Sequence, residues 1–491
     1  MRLGDLVKDV PGAELHADAD QDIAAVTHDS RHCDEGSLFV PVRGLAADGH
    51  DFIGAALKKG AAAVVSEEPP RENVPWVRVG DVREALALLS ASVFGHPARD
   101  LELVGVTGTN GKTTTAFMID SALRENGEPV GLIGTVEYRI GDRVAQAVRT
   151  TPEAPELQSY LRQMVDVGCR RGVLEVSSHS LALKRVLGVE FQVGVFTNLS
   201  RDHLDFHGDM DSYFAAKRIL FDSLLRKGGR AVINVDDDRG AELARTTEHP
   251  VSTCSLSPGA DFTAEDVRLS FEGTHFRART PAGVFEAQTS LLGRFNVLNA
   301  LCAFGAGFAL GLPPDVVQRG IASLKGVSGR MERVNVGQDF TVLVDYAHTD
   351  DALKNLLESV RELQPRRLIT VFGCGGDRDK SKRPLMGAVA ARLSDVLILT
   401  SDNPRSEPPE AIIDDVRRGI PTARADETQV IVDRRDAIAR ALELGREGVV
   451  IVIAGKGHET YQVVRDRKVP FDDRQVVRDV LARPAGAGGK R

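Results

Sequence analysis

Residues 101–115 read LELVGVTGTNGKTTT, an apolar run that breaks into a glycine-rich turn and then opens a helical pattern. Gly108 and Gly111 let the backbone turn and come close to phosphate, so successive N–H groups can surround anionic oxygens. The helix that starts there adds the attraction of its amino-terminal dipole. In such a loop Lys112 reaches the β- and γ-phosphates, and the Thr113 hydroxyl takes a Mg²⁺ ion. The strict GxxxxGK[ST] spacing fails, because Val106 holds the first glycine position and Gly105 stands one residue early. An ordinary glycine-rich turn is the alternative. Strand, Gly-Lys-Thr turn and helix in this order nevertheless predict a phosphate-binding α/β domain.

Outward from the loop, the helical FMIDSALRENG stops at Gly127, and further apolar runs follow as VGLIGTV, RGVLEVSS, VGVFTNLS and GRAVINVDD. Runs of this kind alternating with helical patterns predict a mostly parallel sheet covered by helices. Before the loop, IAAVTHDS, SLFVPV and AAAVVS alternate with Gly and Pro and end in the turn-like FGHPARD. From about residue 329 the pattern restarts with TVLVDYAH, RLITVFGCGG, VLILTSDNP and GVVIVIAGKG. The expected fold is therefore three α/β domains, at 1–98, 99–328 and 329–491, the central one a P-loop ATPase-like parallel-sheet domain and the last Rossmann-like. The tail ARPAGAGGKR is expected to be disordered. No internal repeat is visible.

Length agrees, since 491 residues exceed what one core holds. With 42% hydrophobic and 27% charged residues the chain reads as soluble and globular, and no run of 18 apolar residues predicts a membrane span. The start, MRLGDLVKDVPGAEL, has no apolar h-region and carries Asp5 and Asp9, so no secretory signal is expected. Cys33, Cys169, Cys254, Cys302 and Cys374 are odd in number and lack a CxxC, which predicts reduced thiols in a cytoplasmic protein. A net charge of −8 argues against nucleic acid as a partner.

Ligands of open α/β sheets collect beyond the carboxyl ends of strands, and there this chain carries its chemistry. The variant TGTNGKTT resembles the loop of the Mur ligases and folylpolyglutamate synthases, which activate a carboxylate as an acyl phosphate and form an amide. The resemblance implies that Gly108, Thr109, Asn110, Gly111, Lys112, Thr113 and Thr114 hold ATP, with Asn296 (LLGRFNVLNA) at the adenine and Asp345 (VDYAHTDDAL) at the ribose. It also implies that Glu175 (LEVSSHS) and His203 (TNLSRDHLDFHGD) hold Mg²⁺ and that Lys217 (SYFAAKRILF) is carbamylated, which turns a cation into a carboxylate-like anion. Cations suit this chemistry because phosphate and carboxylate repel as they approach.

The same resemblance assigns a uridine-nucleotide peptide, UDP-N-acetylmuramoyl-L-alanyl-D-glutamate, to the first domain and its border. Ser30 (in Asp29-Ser30-Arg31) matches the uracil side, and Thr150, Thr151, Ser177 and Arg185 match the muramoyl-dipeptide. An arginine suits a carboxylate because its planar fork makes two hydrogen bonds. One well-studied branch has His-Gln-Ala where this chain has Leu45-Ala46-Ala47, Gln where it has Leu183, and Asn where it has Arg149.

In the third domain, Asp402-Asn403-Pro404-Arg405 matches the DNPR of the family's diaminopimelate-adding members, with Arg378 (GGDRDKSKRP), Gly455 and Glu459 (AGKGHET) beside it. Meso-diaminopimelate is lysine with a second carboxylate at its far end, so Arg405 would meet that carboxylate and Glu459 the ammonium. The implied protein is a cytoplasmic, monomeric ligase. A lysine-adding or folylpolyglutamate-type ligase and a P-loop nucleotide switch are the alternatives. No residue is a secure general base, and His348 is the one candidate.

Overall fold

The computed structural model describes residues 1–44, 47–71 and 73–482. Positions 45, 46, 72 and 483–491, which include Leu45, Ala46 and nearly all of the proposed tail, lie outside them.

The strand Glu102–Thr107 lies in the middle of an eleven-stranded sheet, paired in parallel with Arg171–Glu175 on one side and Phe191–Phe196 on the other. Its side chains alternate between two separate cores. Val104 and Val106 pack under the helices Lys112–Glu125 and Arg294–Ala309. Leu103 packs on the opposite face with the helices Ala154–Asp166 and Met210–Asp222. A strand covered on both faces needs apolar residues at every position, hence the uninterrupted runs in the sequence.

The sheet is less uniformly parallel than the sequence predicts. Glu137–Ile140 and Arg143–Gln146 form an antiparallel hairpin at one edge, and Phe262–Ser270, Gly273–Thr280 and Gly283–Thr289 form an antiparallel meander at the other.

The first domain carries a five-stranded sheet, parallel except for the antiparallel edge strand Glu14–His16. Its helix Val82–Val93 is capped by Asp81, which accepts from the backbone N–H of Arg83 and Glu84. Asp81 and Glu84 also pair with Lys184 of the central domain, at 2.8 and 2.6 Å.

The third domain has six strands, in the order Glu332–Arg333, Thr341–Asp345, Val449–Ala454, Arg367–Phe372, Val396–Leu399, Thr428–Val430. All pair in parallel except the first. The late strand Val449–Ala454 inserts between two earlier ones, and that reversal of strand order leaves a crevice at the carboxyl ends.

Beneath this crevice Arg434 and Asp473 form a fully buried ion pair at 2.7 Å, and the guanidinium also donates to the Ala454 carbonyl. Arg434→Met leaves Asp473 buried without a partner and is expected to cost about 3–5 kcal/mol, read as a lower urea midpoint for third-domain unfolding. A loss below about 1 kcal/mol would refute this account of the pair.

Candidate active site

Gly108 has φ +144° and Gly111 φ +85°, in the region that disfavours side chains. A Cβ at Gly108 would collide with the Thr197 hydroxyl, and one at Gly111 with the Asn299 carboxamide. The loop therefore runs with bare backbone into the helix Lys112–Glu125. Lys112 is half-buried and donates to the carbonyls of Gly108 and Thr109, both at 2.9 Å. Burial lowers its ammonium pKa. The Thr109 hydroxyl lies 3.2 Å from the Ser200 carbonyl and 3.2 Å from the Tyr213 hydroxyl, which hold the side chain in place.

Behind the loop, Glu175 is fully buried. It accepts from the Thr113 hydroxyl at 2.8 Å, the Thr135 N–H at 2.7 Å and the Thr135 hydroxyl at 3.0 Å. No ion pair reaches it among the described residues, although its charge acts on the nearby Lys112 ammonium. His203 has φ 54° and sits edge-on to His179 at 4.8 Å. Burial pushes its imidazole down to about 3 against the opposing pull of Asp202, so the ring is neutral and able to ligate. Lys217 is buried, donates to the Gly108 carbonyl at 2.8 Å and lies over the Tyr213 ring. Burial, with Lys112 adding to it, pushes the Lys217 amine well below its ordinary value. Among the described residues no three His, Cys, Asp or Glu side chains converge on one point. Any metal shell here would be built from Glu175, His203, hydroxyls and a modified Lys217.

Two cavities lie beside this cluster; Lys112, Thr113 and His203 line the first, whereas Glu175 and Lys217 line neither. One, of about 260 Å³, is lined by the loop, Thr150, Ser177, Asn296, Asp345 and Arg330. The other, of about 390 Å³, is lined by Arg378, Asp402, Asn403, Arg405, Gly455 and Glu459. Asp202, His203, Tyr346 and His348 line both, so the two share a wall built from the central and third domains. Hydrogen bonds close that junction: Asn110 Nδ2 to Asp351 at 3.2 Å, and Arg201 to Asp350 and Ser381 at 3.4 and 3.2 Å. His348 Nδ1 lies 2.9 Å from the Tyr346 carbonyl, to which it donates, leaving Nε2 unprotonated in the neutral ring. Burial lowers the His348 pKa, favouring that neutral form.

Asn296 donates to the Leu292 carbonyl and accepts from Asn299, and Asp345 accepts from the N–H groups of Met331 and Ala347, both at 2.7 Å. Both side chains are thus held in place at the first cavity. In the second, Arg405 has φ 51°, donates to the Gly376 carbonyl at 2.7 Å and forms no ion pair among the described residues. Arg378 is exposed and unpaired there too. Pro404 is buried in the turn behind them.

Of the residues assigned to the nucleotide peptide, Thr150 and Ser177 line the first cavity, and the other described ones line neither. Ser30, in the single turn Ser30–His32, and Ala47 line neither, and Leu183 closes the helix Ser178–Ala182. Arg185 is paired with Glu153 at 2.7 Å, and Arg149 also reaches Glu153, at 2.5 Å. The Thr151 hydroxyl donates to the Glu175 carbonyl at 2.7 Å.

Sequence reasoning overlooked four residues. Arg330 donates to the Thr113 hydroxyl at 3.1 Å and lies over the Tyr346 ring, Asp202 lies on the shared wall, Glu153 holds two arginines, and Lys456 lies under the third-domain cavity. Only Lys456 and Asp202 adjoin residues that the motifs mark.

A phosphate loop that opens on a cleft between α/β domains, with a charged second cavity beyond it, defines a multidomain ligase that uses a nucleotide. The chain belongs to the Mur ligase family: models of the Mur ligase family catalytic domain, the Mur ligase middle domain and the Mur ligase glutamate ligase domain match residues 22–93, 106–307 and 329–457. The UDP-N-acetylmuramoyl-L-alanyl-D-glutamate–2,6-diaminopimelate ligase of Solibacter usitatus is 47% identical over 487 residues, 98% of each chain. The ligase of the same name from Geobacillus thermodenitrificans is 45% identical over 97% of this chain and 99% of its own. A solved structure of a ligase of that name superimposes with a TM-score of 0.70 at 33% identity, covering 98% of each chain.

Proposed function

We propose that this protein is the ATP-dependent ligase that joins meso-2,6-diaminopimelate to UDP-N-acetylmuramoyl-L-alanyl-D-glutamate in peptidoglycan precursor synthesis. The wall shared by the two cavities carries this reading. In this reading the phosphate loop and the cavity that holds Arg378, Arg405 and Glu459 meet at that wall, where the reacting groups would come together. The names of the near full-length relatives agree.

In the first step the γ-phosphoryl group passes to the D-glutamate carboxylate, giving an acyl phosphate and ADP. In the second the amine of diaminopimelate attacks the acyl carbon. A C–N bond forms, the C–O bond to phosphate breaks and the amine gives up a proton. Lys112 and the loop N–H groups bear the phosphate charge. Mg²⁺ suits the chemistry of these donors, a carboxylate without an ion pair at Glu175 and a neutral imidazole at His203. Those two, with Thr113 and a carbamylated Lys217, would hold it, and it would neutralise charge on the reacting groups.

In this reading the segments 1–98, 99–328 and 329–491 bind the uridine nucleotide, ATP and the amino acid respectively. Ser30, Leu45, Ala46, Ala47, Thr150, Thr151, Ser177 and Arg185 serve the nucleotide peptide. Among the described residues no helix is long and apolar enough to cross a membrane, which fits a cytoplasmic enzyme. We assign it as a monomer.

The direct test is tripeptide formation followed by mass spectrometry, with phosphate release measured in parallel. Phosphate release that ignores both acceptors would point to a nucleotide switch instead. Specificity is tested at Arg405, whose unpaired guanidinium faces the cavity. A charge-assisted pair contributes roughly 1.5–3 kcal/mol, more if its partner is left unpaired. Arg405→Ala is therefore expected to lower kcat/KM for meso-diaminopimelate by about ten- to several-hundredfold. Use of lysine should fall far less. Equal loss on both would make Arg405 an anchor of its turn.

A further inference from the structure

Lys456 stands between Gly455 and Gly457, and its side chain is completely buried. Its ammonium lies 2.9 Å from Glu459 Oε2, 3.2 Å from Asn403 Oδ1 and 3.6 Å from Asp402 Oδ1. Three residues of the cavity wall thus converge on one cation that does not itself line the cavity. Asn403 completes the lock. Its Oδ1 also accepts from the Val463 N–H at 2.9 Å, and its Nδ2 donates to Glu459 Oε2 at 2.9 Å. The carboxamide is therefore fixed in one orientation and largely used within the protein. Glu459 has Oε2 doubly held, and its Oε1 has no partner among the described residues. The hairpin Tyr461–Val464 and Arg467–Pro470 is stitched onto the same loop, through Gln462 to the Asp402 carbonyl and through the backbone of Arg405 to Val463 and Arg465.

We infer that Lys456 is the positioning residue of the amino-acid site: it holds Glu459 ionised and aimed, so that Oε1 can receive the ammonium group of the incoming diamino acid. The charge balance supports this. Two carboxylates and one ammonium leave the cluster with one net negative charge, the complement of an incoming cation. Without Lys456, Asp402 and Glu459 would be like charges in a buried space, and one would take up a proton. The existing asymmetry points the same way. Burial raises the Asp402 pKa, whereas at Glu459 the opposing Lys456 charge and the Asn403 bond overcome burial and keep it low.

This inference rests on the reading of the second cavity as the amino-acid site, yet it separates from the choice of substrate. Lysine and meso-diaminopimelate both bring an ammonium, whereas only the latter brings the carboxylate that Arg405 meets.

The test is steady-state kinetics of the full-length enzyme with Lys456→Met and Lys456→Gln, the second keeping a hydrogen-bonding side chain. KM for the diamino acid is expected to rise about ten- to a hundredfold in the methionine variant and less in the glutamine variant. KM for ATP and for the nucleotide peptide should stay within about threefold, and kcat at saturating amino acid should fall much less than KM rises. An unchanged KM for the amino acid, or an equal rise for all three substrates, overturns the inference. So does failure of both variants to fold while Glu459→Gln folds, since Lys456 would then serve the domain and not the site. If wild type prefers lysine, the proposed substrate falls, and the same KM pattern read with lysine still tests Lys456.

Discussion

Lys217→Ala is expected to lower kcat by about a thousandfold, with partial recovery when formate or acetate is added. The amine is buried, which disfavours its charge and lowers its pKa, and an unprotonated amine is the form that adds CO₂ to give a carbamate and release a proton. Such a carbamate would place an anion at the phosphate loop, beside the Gly108 carbonyl that the amine now meets. Loss of a metal-holding group forfeits several kcal/mol of charge stabilisation, and about 4 kcal/mol corresponds to roughly three decades in rate. A small carboxylate entering the cleared space supplies two oxygens in place of the carbamate's. Full activity in the unsupplemented variant would remove Lys217 from the metal shell. Mass spectrometry of wild type under CO₂, trapped by alkylation of the carbamate, reads the modification independently.

The second large effect belongs to Lys112. Its ammonium donates to two carbonyls of its own loop, and in the proposed function a bound phosphate would become its partner. Removal of one preorganised charged donor at the transferring phosphoryl group typically costs about 10²–10³ in kcat. Lys112→Ala should show at least that loss, together with weaker ATP binding by calorimetry. Circular dichroism should match wild type, because the two released carbonyls can turn to water. Near-normal turnover in a folded variant would move the phosphates elsewhere.

Elements that each satisfy one local rule were readable in the sequence. The strand Glu102–Thr107 is buried from Leu103 onward because both its faces are covered, and Lys112 and Thr113 follow it across a glycine-rich turn at the start of a helix, although the strict GxxxxGK[ST] spacing fails. Asp402–Arg405 and Glu459 follow the strands Val396–Leu399 and Val449–Ala454 in the same way. The antiparallel edges were unreadable because their periodicity is weak. All four residues of Arg143–Gln146 are exposed, and Phe262–Ser270 carries an irregularity between Glu265 and Arg268 that breaks its alternation. Pairings across long separations were hidden for another reason. Lys456 meets Asn403 from 53 positions away, and Arg330 meets Thr113 from 217, so no window of sequence contains both members.

The two cores on either side of the central sheet suggest how such an enzyme can adapt to temperature. The side with Val104 and Val106 supports the helix that begins at the phosphate loop. The side with Leu103 supports Ala154–Asp166, which leans on the first domain's helix Val82–Val93. Cavity-forming substitutions are felt locally, because surrounding side chains relax only in part. Loosening the first core would therefore retune nucleotide affinity, and loosening the second would retune how firmly the first domain is seated. Each property could drift under selection without dragging the other along.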